Sequence, residues 1–322
     1  MRKEKVTRNS WKYVERRVAL MPELPDITIY VERLTALAQG QCLESLRIAG
    51  PFVLRTVEPG PEAFAGHVLQ SVGRIGKRII LEFEGELFAA IHLMIAGRLQ
   101  WRPPGSAIPK QQGLLAFDFA EGTLLLTEAG SKHRASLHLV TGSEALAAFD
   151  RGGVDMLQTD PHALGSALRR ANRTLKRALS DPSIVDGIGN AYSDEILHRA
   201  RLSPFKLTGG LTEVEVITLH QAAAEVITEW IFRLREEAGS GLPEKVTAFR
   251  PEMAVHGKYG RPCPVCGVPV QRIVYAENEA NYCPGCQTGG RILADRALSR
   301  LLRDDWPRTI EELERIPAMR QQ

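Results

Sequence analysis

Hydrophobic residues first recur at helical spacing shortly after Pro25. They share one face of the predicted helix and are Ile27, Tyr30, Val31, Leu34 and Leu37. Proline suits the first turn of a helix, and Gly40 provides a stop signal. The pattern therefore predicts one amphipathic helix near the start of the chain.

Short runs of aliphatic and aromatic residues follow this helix. They cover residues 43–48, 68–74, 78–83, 87–93, 114–119 and 123–127. Two tight turns, Glu84-Gly85 and Glu121-Gly122, join successive runs as hairpins. Residues 21–145 are therefore predicted to form a β-sandwich with a flanking helix.

The pattern becomes helical after Gly152-Gly153, over residues 161–179 and 190–200. A further helix opens with the capping box Thr212-x-x-Glu215 and carries an apolar stripe as far as Leu234. Residues 146–250 are therefore predicted to form a helical domain. Residues 251–288 hold a cysteine cluster, and the remaining extension, 289–322, predicts helices over 292–302 and from 309. The stripe of the first of these (Leu298, Leu301, Leu302) predicts packing against the protein. The fold class is α+β with several domains.

The 322 residues are 44% hydrophobic, enough for real cores, and no run of eighteen apolar residues or uncharged leader is present. This composition predicts a soluble, cytoplasmic protein without a membrane partner. The formal net charge is +3, but residues 1–20 contribute +5 (seven Lys/Arg and two Glu), so residues from Met21 onward carry −2. Any nucleic-acid affinity must therefore come from a local basic face.

Four of the five cysteines form two pairs with metal-ligand spacing, and Cys42 stands alone. Cys263-x-x-Cys266 and Cys283-x-x-Cys286 are separated by sixteen residues. Two such knuckles converge on one tetrahedral zinc, and a closed set of four thiolates is structural. Because the two pairs coincide, one structural zinc is favoured over four unligated thiols.

The segment Met21-Pro22-Glu23-Leu24-Pro25 has two readings. It can be a proline-rich helix entry, which is the commoner case. If Met21 is a removed initiator, however, Pro22 exposes a secondary amine with a pKa of roughly 8, which is partly neutral and nucleophilic at pH 7. Attack on a sugar anomeric carbon would then expel a base, and Glu23 could move the protons.

A glycine-rich turn, Gly187-Ile-Gly189-Asn190, precedes a helix and follows a basic segment that contains Lys176. Glycines at a helix N-terminus permit close approach to a phosphate, and Asn190 could donate to the same group. By itself the turn is more often a plain helix start.

Together these motifs resemble the formamidopyrimidine-DNA glycosylase and endonuclease VIII family across residues 21–287. They occur in the family's order: PELPD, GKRIILEF, HLMIAG, LKRALSD, GIGNAYSDEILHRARLSP and VHGKYGRPCPVC…YCPGCQ. The resemblance implies a β-sandwich, a helix-two-turn-helix domain and a zinc-finger hairpin, with damaged or abasic double-stranded DNA bound between the two halves by a monomer, at the nucleoid when bound.

The resemblance also implies residue roles. Pro22 matches the nucleophile, Glu23 the proton donor, and Lys77 the β-strand lysine of the catalytic set that contacts phosphate near the lesion. Lys176 and Asn190 match phosphate-binding positions. Lys258 and Arg291 complete the predicted DNA-binding set.

The chain departs from the family pattern at several positions. Asn278 stands where the finger usually carries a phosphate-binding arginine, so Arg272 or Arg291 is expected to replace that contact. Ile95 replaces a gap-filling methionine, and residues 128–134 lack the usual arginine and phenylalanine wedge. Asp26 stands where glutamate is commoner, and residues 244–249 match a loop over the damaged base.

Residues 1–20 bear on the chemistry, since a proline inside a peptide bond has no free amine. Met21 is therefore expected to be the natural start. The leading hypothesis is a bifunctional glycosylase and AP lyase acting on oxidised or ring-opened bases. A damage-binding protein that does not cut, and an AP lyase with little base excision, are the alternatives.

Overall fold

The computed structural model describes residues 21–129, 134–243, 246–247, 249–275, 278–294 and 307–315. The N-terminal part begins with helix α1 (Leu24–Ala38) and continues as eight strands. These are β1 (Leu43–Ile48), β2 (Leu69–Ile75), β3 (Arg78–Phe83), β4 (Leu87–His92), β5 (Gly97–Arg102), β6 (Gly113–Phe119), β7 (Gly122–Glu128) and β8 (Ser136–Thr141).

The strands form two antiparallel four-stranded sheets, in the orders β1-β6-β7-β5 and β2-β3-β4-β8. Alternate side chains of each strand enter the space between the sheets, as the pleat requires. On β3, for example, Ile79, Leu81 and Phe83 join the sandwich core, whereas Ile80 joins a small cluster on the other face. The predicted β-sandwich is confirmed.

Helix α1 is shared by two hydrophobic cores. Its residues Ile27, Tyr30 and Leu34 pack into the sandwich, whereas Leu24 and Ile29 pack with the helical region. Since one rigid helix contributes to both cores, the position of the sandwich relative to the helical region is fixed at α1.

The helical region contains α2 (Ser143–Ala147), α3 (Pro161–Arg169), α4 (Leu175–Leu179), α5 (Asn190–Arg199) and α6 (Glu213–Ala238). The predicted capping box opens α6: the Thr212 hydroxyl accepts from the Glu215 N–H, and the Glu215 carboxylate accepts from the Thr212 N–H. No helix among the described residues is long and apolar enough to cross a membrane.

The cysteine-rich region folds as a hairpin of β9 (Gln271–Tyr275) and β10 (Asn278–Tyr282), followed by the single turn α7 (Pro284–Gln287). A last helix covers Ile310–Arg315. The predicted helical domain and zinc-finger hairpin are thus confirmed as parts of one α+β chain.

Three predictions of secondary structure were wrong. Strands β5 and β8 were missed, because Arg, Gln, His and Ser alternate with their apolar residues and leave no continuous apolar run. The helical run 161–179 is broken after Arg170, because the next segment bonds to the chain around Thr208: the Thr208 N–H donates to the Arg173 carbonyl at 2.8 Å. Residues 292–294 are not helical, and the rest of that predicted helix, including its stripe, lies outside the described residues, as do residues 1–20 and 130–133.

Candidate functional site

The segment that follows Met21 lies directly against the glycine-rich turn before α5. The Leu24 N–H donates to the Gly187 carbonyl at 2.9 Å. Gly187 has a φ of +75°, and a Cβ there would lie 2.9 Å from the Leu24 Cβ. Glycine is therefore required here both by the backbone conformation and by the close approach of the two segments.

The Glu23 carboxylate occupies the N-terminus of α5. It accepts hydrogen bonds from the backbone N–H groups of Gly189 (2.6 Å), Ala191 (2.9 Å) and Tyr192 (3.3 Å). Glu23 is 3% exposed, so these charge-assisted bonds replace its lost hydration. The positive end of the helix dipole stabilises the same charge. The anion site expected at this helix end therefore holds a carboxylate of the protein.

Gly189 also brings Lys77 to the same place. A Cβ on Gly189 would lie 2.5 Å from the Glu23 Cδ and 2.5 Å from the Lys77 Nζ. The side chains of Glu23 and Lys77 therefore both pack on the bare Cα of Gly189. The structure thus brings together Glu23, Lys77 and the helix that begins at Asn190, and the buried Pro22 precedes Glu23.

Lys77, expected on a β-strand, belongs instead to the short turn between β2 and β3 and is partly buried. Burial lowers the pKa of Lys77, while the nearby carboxylates of Glu23 and Asp186 act in the opposite direction. Asp186 is itself held by Arg74 at 2.6 Å, and Arg74 also bonds to Asp155. The turn carrying Lys77 is therefore fastened to the segment that leads into α5.

Asp26 lies in the first turn of α1, three residues after Glu23. Its carboxylate accepts from the Glu23 N–H at 3.1 Å, and the Arg250 guanidinium lies 3.8 Å away. Burial raises the pKa of Asp26 to about 6, against the opposing effects of that hydrogen bond and of Arg250. Asp26 therefore orients the main chain of the predicted proton donor.

Lys176 and Asn190, the predicted phosphate contacts of the helical region, have different environments. Lys176 is 1% exposed and donates to Asp194 and to the Asn190 carbonyl, both at 2.5 Å. This buried ion pair does not fit the predicted role of Lys176 as a direct DNA contact. The Asn190 Nδ2, by contrast, is buried without a hydrogen-bond partner among the described residues, so its donor capacity is unused.

The other predicted DNA contacts lie on the cysteine-rich region. Lys258 donates to the Pro251 carbonyl at 2.9 Å, and Arg291 is exposed. Arg272 lies 4.0 Å from Glu279 and 5.0 Å from the Tyr259 ring centroid. Of the two expected replacements for the missing finger arginine, Arg291 is therefore the one more open to a phosphate.

The four paired cysteines form a closed cluster. Their sulfurs all lie within 4.8 Å of one another, with Sγ–Sγ distances of 3.9 Å between Cys263 and Cys286 and 3.3 Å between Cys266 and Cys283. Tetrahedral thiolates at about 2.3 Å from zinc have sulfurs about 3.8 Å apart, so the cluster fits one zinc ion. The His198 Nε2 of α5 lies 3.3 Å from the Cys263 Sγ. The predicted structural zinc is confirmed.

A buried polar network that sequence reasoning missed joins the cysteine-rich region to α5. Asp194 accepts from the Asn281 Nδ2 at 3.0 Å and lies 2.8 Å from the His256 Nδ1. Glu195 accepts from the N–H groups of residues 254, 255 and 256 at 2.8 to 2.9 Å. The available signal was Ser-Asp-Glu inside a helix that is otherwise apolar on its packed side.

Comparison with known proteins agrees with this architecture. The formamidopyrimidine-DNA glycosylase N-terminal domain matches residues 21–132, the H2TH domain of the same enzyme residues 154–238, and the zinc finger found in FPG and IleRS residues 260–289. The formamidopyrimidine-DNA glycosylase of Thermus thermophilus is 32% identical over 284 residues, covering 84% of this chain and 100% of the relative.

Two further comparisons are informative. An uncharacterised formamidopyrimidine-DNA glycosylase-like protein of Mycobacterium tuberculosis is 40% identical over 151 residues, 47% of this chain and 94% of that protein. Lactococcus lactis Fpg, solved with DNA containing an abasic site, superposes with a TM-score of 0.74 at 26% identity, covering 83% of this chain and 99% of the other.

An antiparallel sandwich and a helical domain that share α1, together with a four-cysteine hairpin, define a multidomain protein of the H2TH and zinc-finger class. Within that class, the chain belongs to the formamidopyrimidine-DNA glycosylase family.

Proposed function

We propose that this chain excises oxidised or ring-opened bases from double-stranded DNA and then cuts the abasic strand, with Pro22 as the nucleophile of the form that begins at that residue. The observation that carries the proposal is the convergence of Glu23, Lys77 and the N-terminus of α5 next to Pro22. The family's N-terminal domain also begins to match at residue 21.

The first step is nucleophilic substitution at the sugar. The free Pro22 nitrogen attacks C1′, the bond from C1′ to the base breaks, and the base leaves with the bonding electrons and takes up a proton. The Pro22 nitrogen passes its own proton to the Glu23 carboxylate; opening of the sugar ring then gives an iminium at C1′, and Glu23 returns that proton to the ring oxygen. Glu23 lies next to Pro22 in the chain and is the group assigned to this proton transfer.

The second step breaks the strand. The iminium acidifies the C2′ proton; its removal expels the 3′ phosphate by β-elimination. Hydrolysis then releases Pro22. Lys77 supplies positive charge beside Glu23, and the Asn190 Nδ2 supplies a neutral donor at the start of α5. Both groups are suited to hold a backbone phosphate in register with Pro22.

Zinc takes no part in these bond changes. A closed set of four thiolates leaves no open coordination position, so the ion stabilises the hairpin. Through His198 and the Asp194 network, the same hairpin supports α5, on which Glu23 is held.

Borohydride trapping on an abasic oligonucleotide tests the proposal. A chain that begins at Pro22 is compared with the full 322-residue chain, in which Pro22 lies inside a peptide bond. A covalent adduct from the Pro22 form alone is the expected result. If both forms bind the DNA and neither is trapped, the damage-binding alternative replaces the catalytic proposal.

Intact lesion DNA in a parallel reaction separates the remaining alternative. The proposed glycosylase releases the free base and cuts the strand. An AP lyase with little base excision cuts the abasic substrate at a similar rate and leaves the damaged base in place.

A further inference from the structure

Basic side chains line up on the face of the sheet β2-β3-β4-β8 that points away from the sandwich core. Arg78 of β3 lies directly opposite His92 of β4, and Ala90 of the same strand lies opposite His138 of β8. Because residues two apart in a strand share a face, Arg78, His92 and His138 project from the same side of three adjacent strands.

An aromatic ring holds two of these groups in place. The Arg78 guanidinium carbon lies 5.3 Å from the centroid of Phe149, and the His138 ring lies 5.1 Å from the same centroid at an interplanar angle of 68°. Cation–π and edge-to-face contacts of this kind orient the side chains without neutralising any charge.

The exposed Arg55, whose N–H donates to the Leu137 carbonyl at 2.9 Å, and the exposed Arg151, two residues after Phe149, extend the group. Burial is the main cause of a lowered pKa at both Arg78 and His138, and neighbouring cations add to it: Arg151 acts on Arg78, and Arg78 and Arg55 act on His138. Burial and then Arg78, Lys77 and His138 likewise lower the pKa of His92 to about 4. The cations are therefore close enough to repel one another.

These arginines lack the ion pairs found elsewhere in the protein. Within the described residues, ion pairs engage the guanidinium groups of Arg47, Arg74, Arg169, Arg173, Arg199, Arg233, Arg235, Arg250 and Arg272. The same part of the chain shows no ion pair to Arg55, Arg78 or Arg151, and the Arg78 Nε and His138 Nδ1 are buried without a hydrogen-bond partner there. Three neighbouring arginines without an ion pair favour an anionic partner.

The position of the group identifies that partner. Lys77, which directly precedes Arg78, has its Nζ beside Gly189 in the candidate active site. The basic face therefore begins at that site and continues away from it across β3, β4 and β8. From Met21 onward the chain carries a net charge of −2, so a local basic face of this kind is what binding to a polyanion requires.

We propose that Arg55, Arg78, His138 and Arg151, here named the outer basic surface, bind the sugar-phosphate backbone of the duplex to one side of the lesion, beyond the phosphate assigned to Lys77. The inference rests on the proposed function only in taking damaged duplex DNA as the ligand. The outer basic surface would add phosphate contacts to a chain in which Asn278 stands where the finger usually carries a phosphate-binding arginine.

The test uses Arg78→Gln and Arg151→Gln, singly and together, in the chain that begins at Pro22. Arg102→Gln is the matched control, since Arg102 is an exposed arginine of the other sheet whose guanidinium bonds only to Gln100 among the described residues. Fluorescence anisotropy gives Kd for a duplex with a tetrahydrofuran abasic analogue at several salt concentrations. Each substitution that removes a phosphate contact is expected to reduce the magnitude of the slope of log K against log salt by about 1.

A second series trims the duplex on one side of the analogue or the other. The unsubstituted chain is expected to lose affinity when one particular arm is shortened, and the double variant to be insensitive to that shortening. Arg151 is exposed, so Arg151→Gln reports on binding even if Arg78→Gln disturbs the packing of Phe149.

Failure of this inference differs from failure of the proposed function. If the double variant keeps the salt slope and arm dependence of Arg102→Gln while the parent chain binds and is trapped, the outer basic surface is not a DNA contact. If the parent chain itself fails to bind the analogue duplex, the proposed function fails as well.

Discussion

Substitution of Gly189 by alanine tests the packing at the centre of the candidate site. Gly189 has a φ of −132°, a backbone conformation that alanine also adopts, so the substitution adds only a methyl group. That methyl would lie 2.5 Å from the Glu23 Cδ and 2.5 Å from the Lys77 Nζ, well inside contact distance. Either the carboxylate leaves the N-terminus of α5 or the ammonium group moves away.

The expected magnitudes follow from this geometry. Overpacking a filled site costs about 1 to 3 kcal/mol of unfolding free energy. A displaced Glu23 also weakens three charge-assisted bonds, and a misplaced general acid or base costs roughly 10² to 10⁴ in rate. The rate of strand cleavage should therefore fall even under conditions in which the Gly189→Ala variant remains folded.

Single-turnover cleavage of an abasic duplex and urea denaturation measure the two effects. Gly210→Ala is the control, because no atom lies within 4 Å of its added methyl group. Cleavage by Gly189→Ala within about threefold of Gly210→Ala, a difference of less than 1 kcal/mol in activation free energy, would show that the added methyl group does not displace Glu23 or Lys77.

Three further predictions concern buried groups. Because burial raises the pKa of Asp26 from 3.8 to about 6, the folded protein loses stability as pH rises from 4 through 6. The free energy of unfolding of Asp26→Asn should therefore rise relative to that of the parent chain by up to about 3 kcal/mol between pH 4 and pH 7 in urea titrations. Equal pH profiles for the two proteins would contradict this. Cys283→Ser should lose its zinc in elemental analysis and melt at lower temperature, whereas Cys42→Ser should retain one zinc per chain; zinc retained by both would remove the four-thiolate assignment. Lys176→Met leaves Asp194, which is 0% exposed, with only Asn281 and His256 as partners, and should cost about 3 kcal/mol in urea denaturation, part of which Asp194→Asn should restore. A stability unchanged by Lys176→Met would show that the ion pair contributes nothing.

The extent to which sequence reasoning succeeded differs between local and long-range features. The six predicted strands, the capping box at Thr212 and the cysteine spacing depend on neighbours in the chain, and each is confirmed. Strand β8 escaped notice because His138 and Ser136 face the outer side of a sheet, where polar residues break the apolar run without breaking the strand.

Features that depend on distant segments were not predictable from local patterns. The turn before α5 was expected to receive a phosphate, and the chain offers no local sign that Glu23, 166 residues earlier, fills it. Lys176 was expected to bind phosphate, and its buried partner Asp194 was missed for the same reason, since the pair is defined only by packing. The roles of Pro22 and Asn190 remain predictions.

Helix α5 connects the candidate active site to the cysteine cluster. At its first turn, backbone N–H groups hold Glu23, and eight residues further on His198 contacts the zinc ligand Cys263. Since a helix rises 1.5 Å per residue, the two attachments lie about 12 Å apart on one rigid rod. An oxidant that attacked the thiolates would therefore disturb the helix end that holds Glu23. Oxidative stress, which generates damaged bases, would then also lower the activity of this chain.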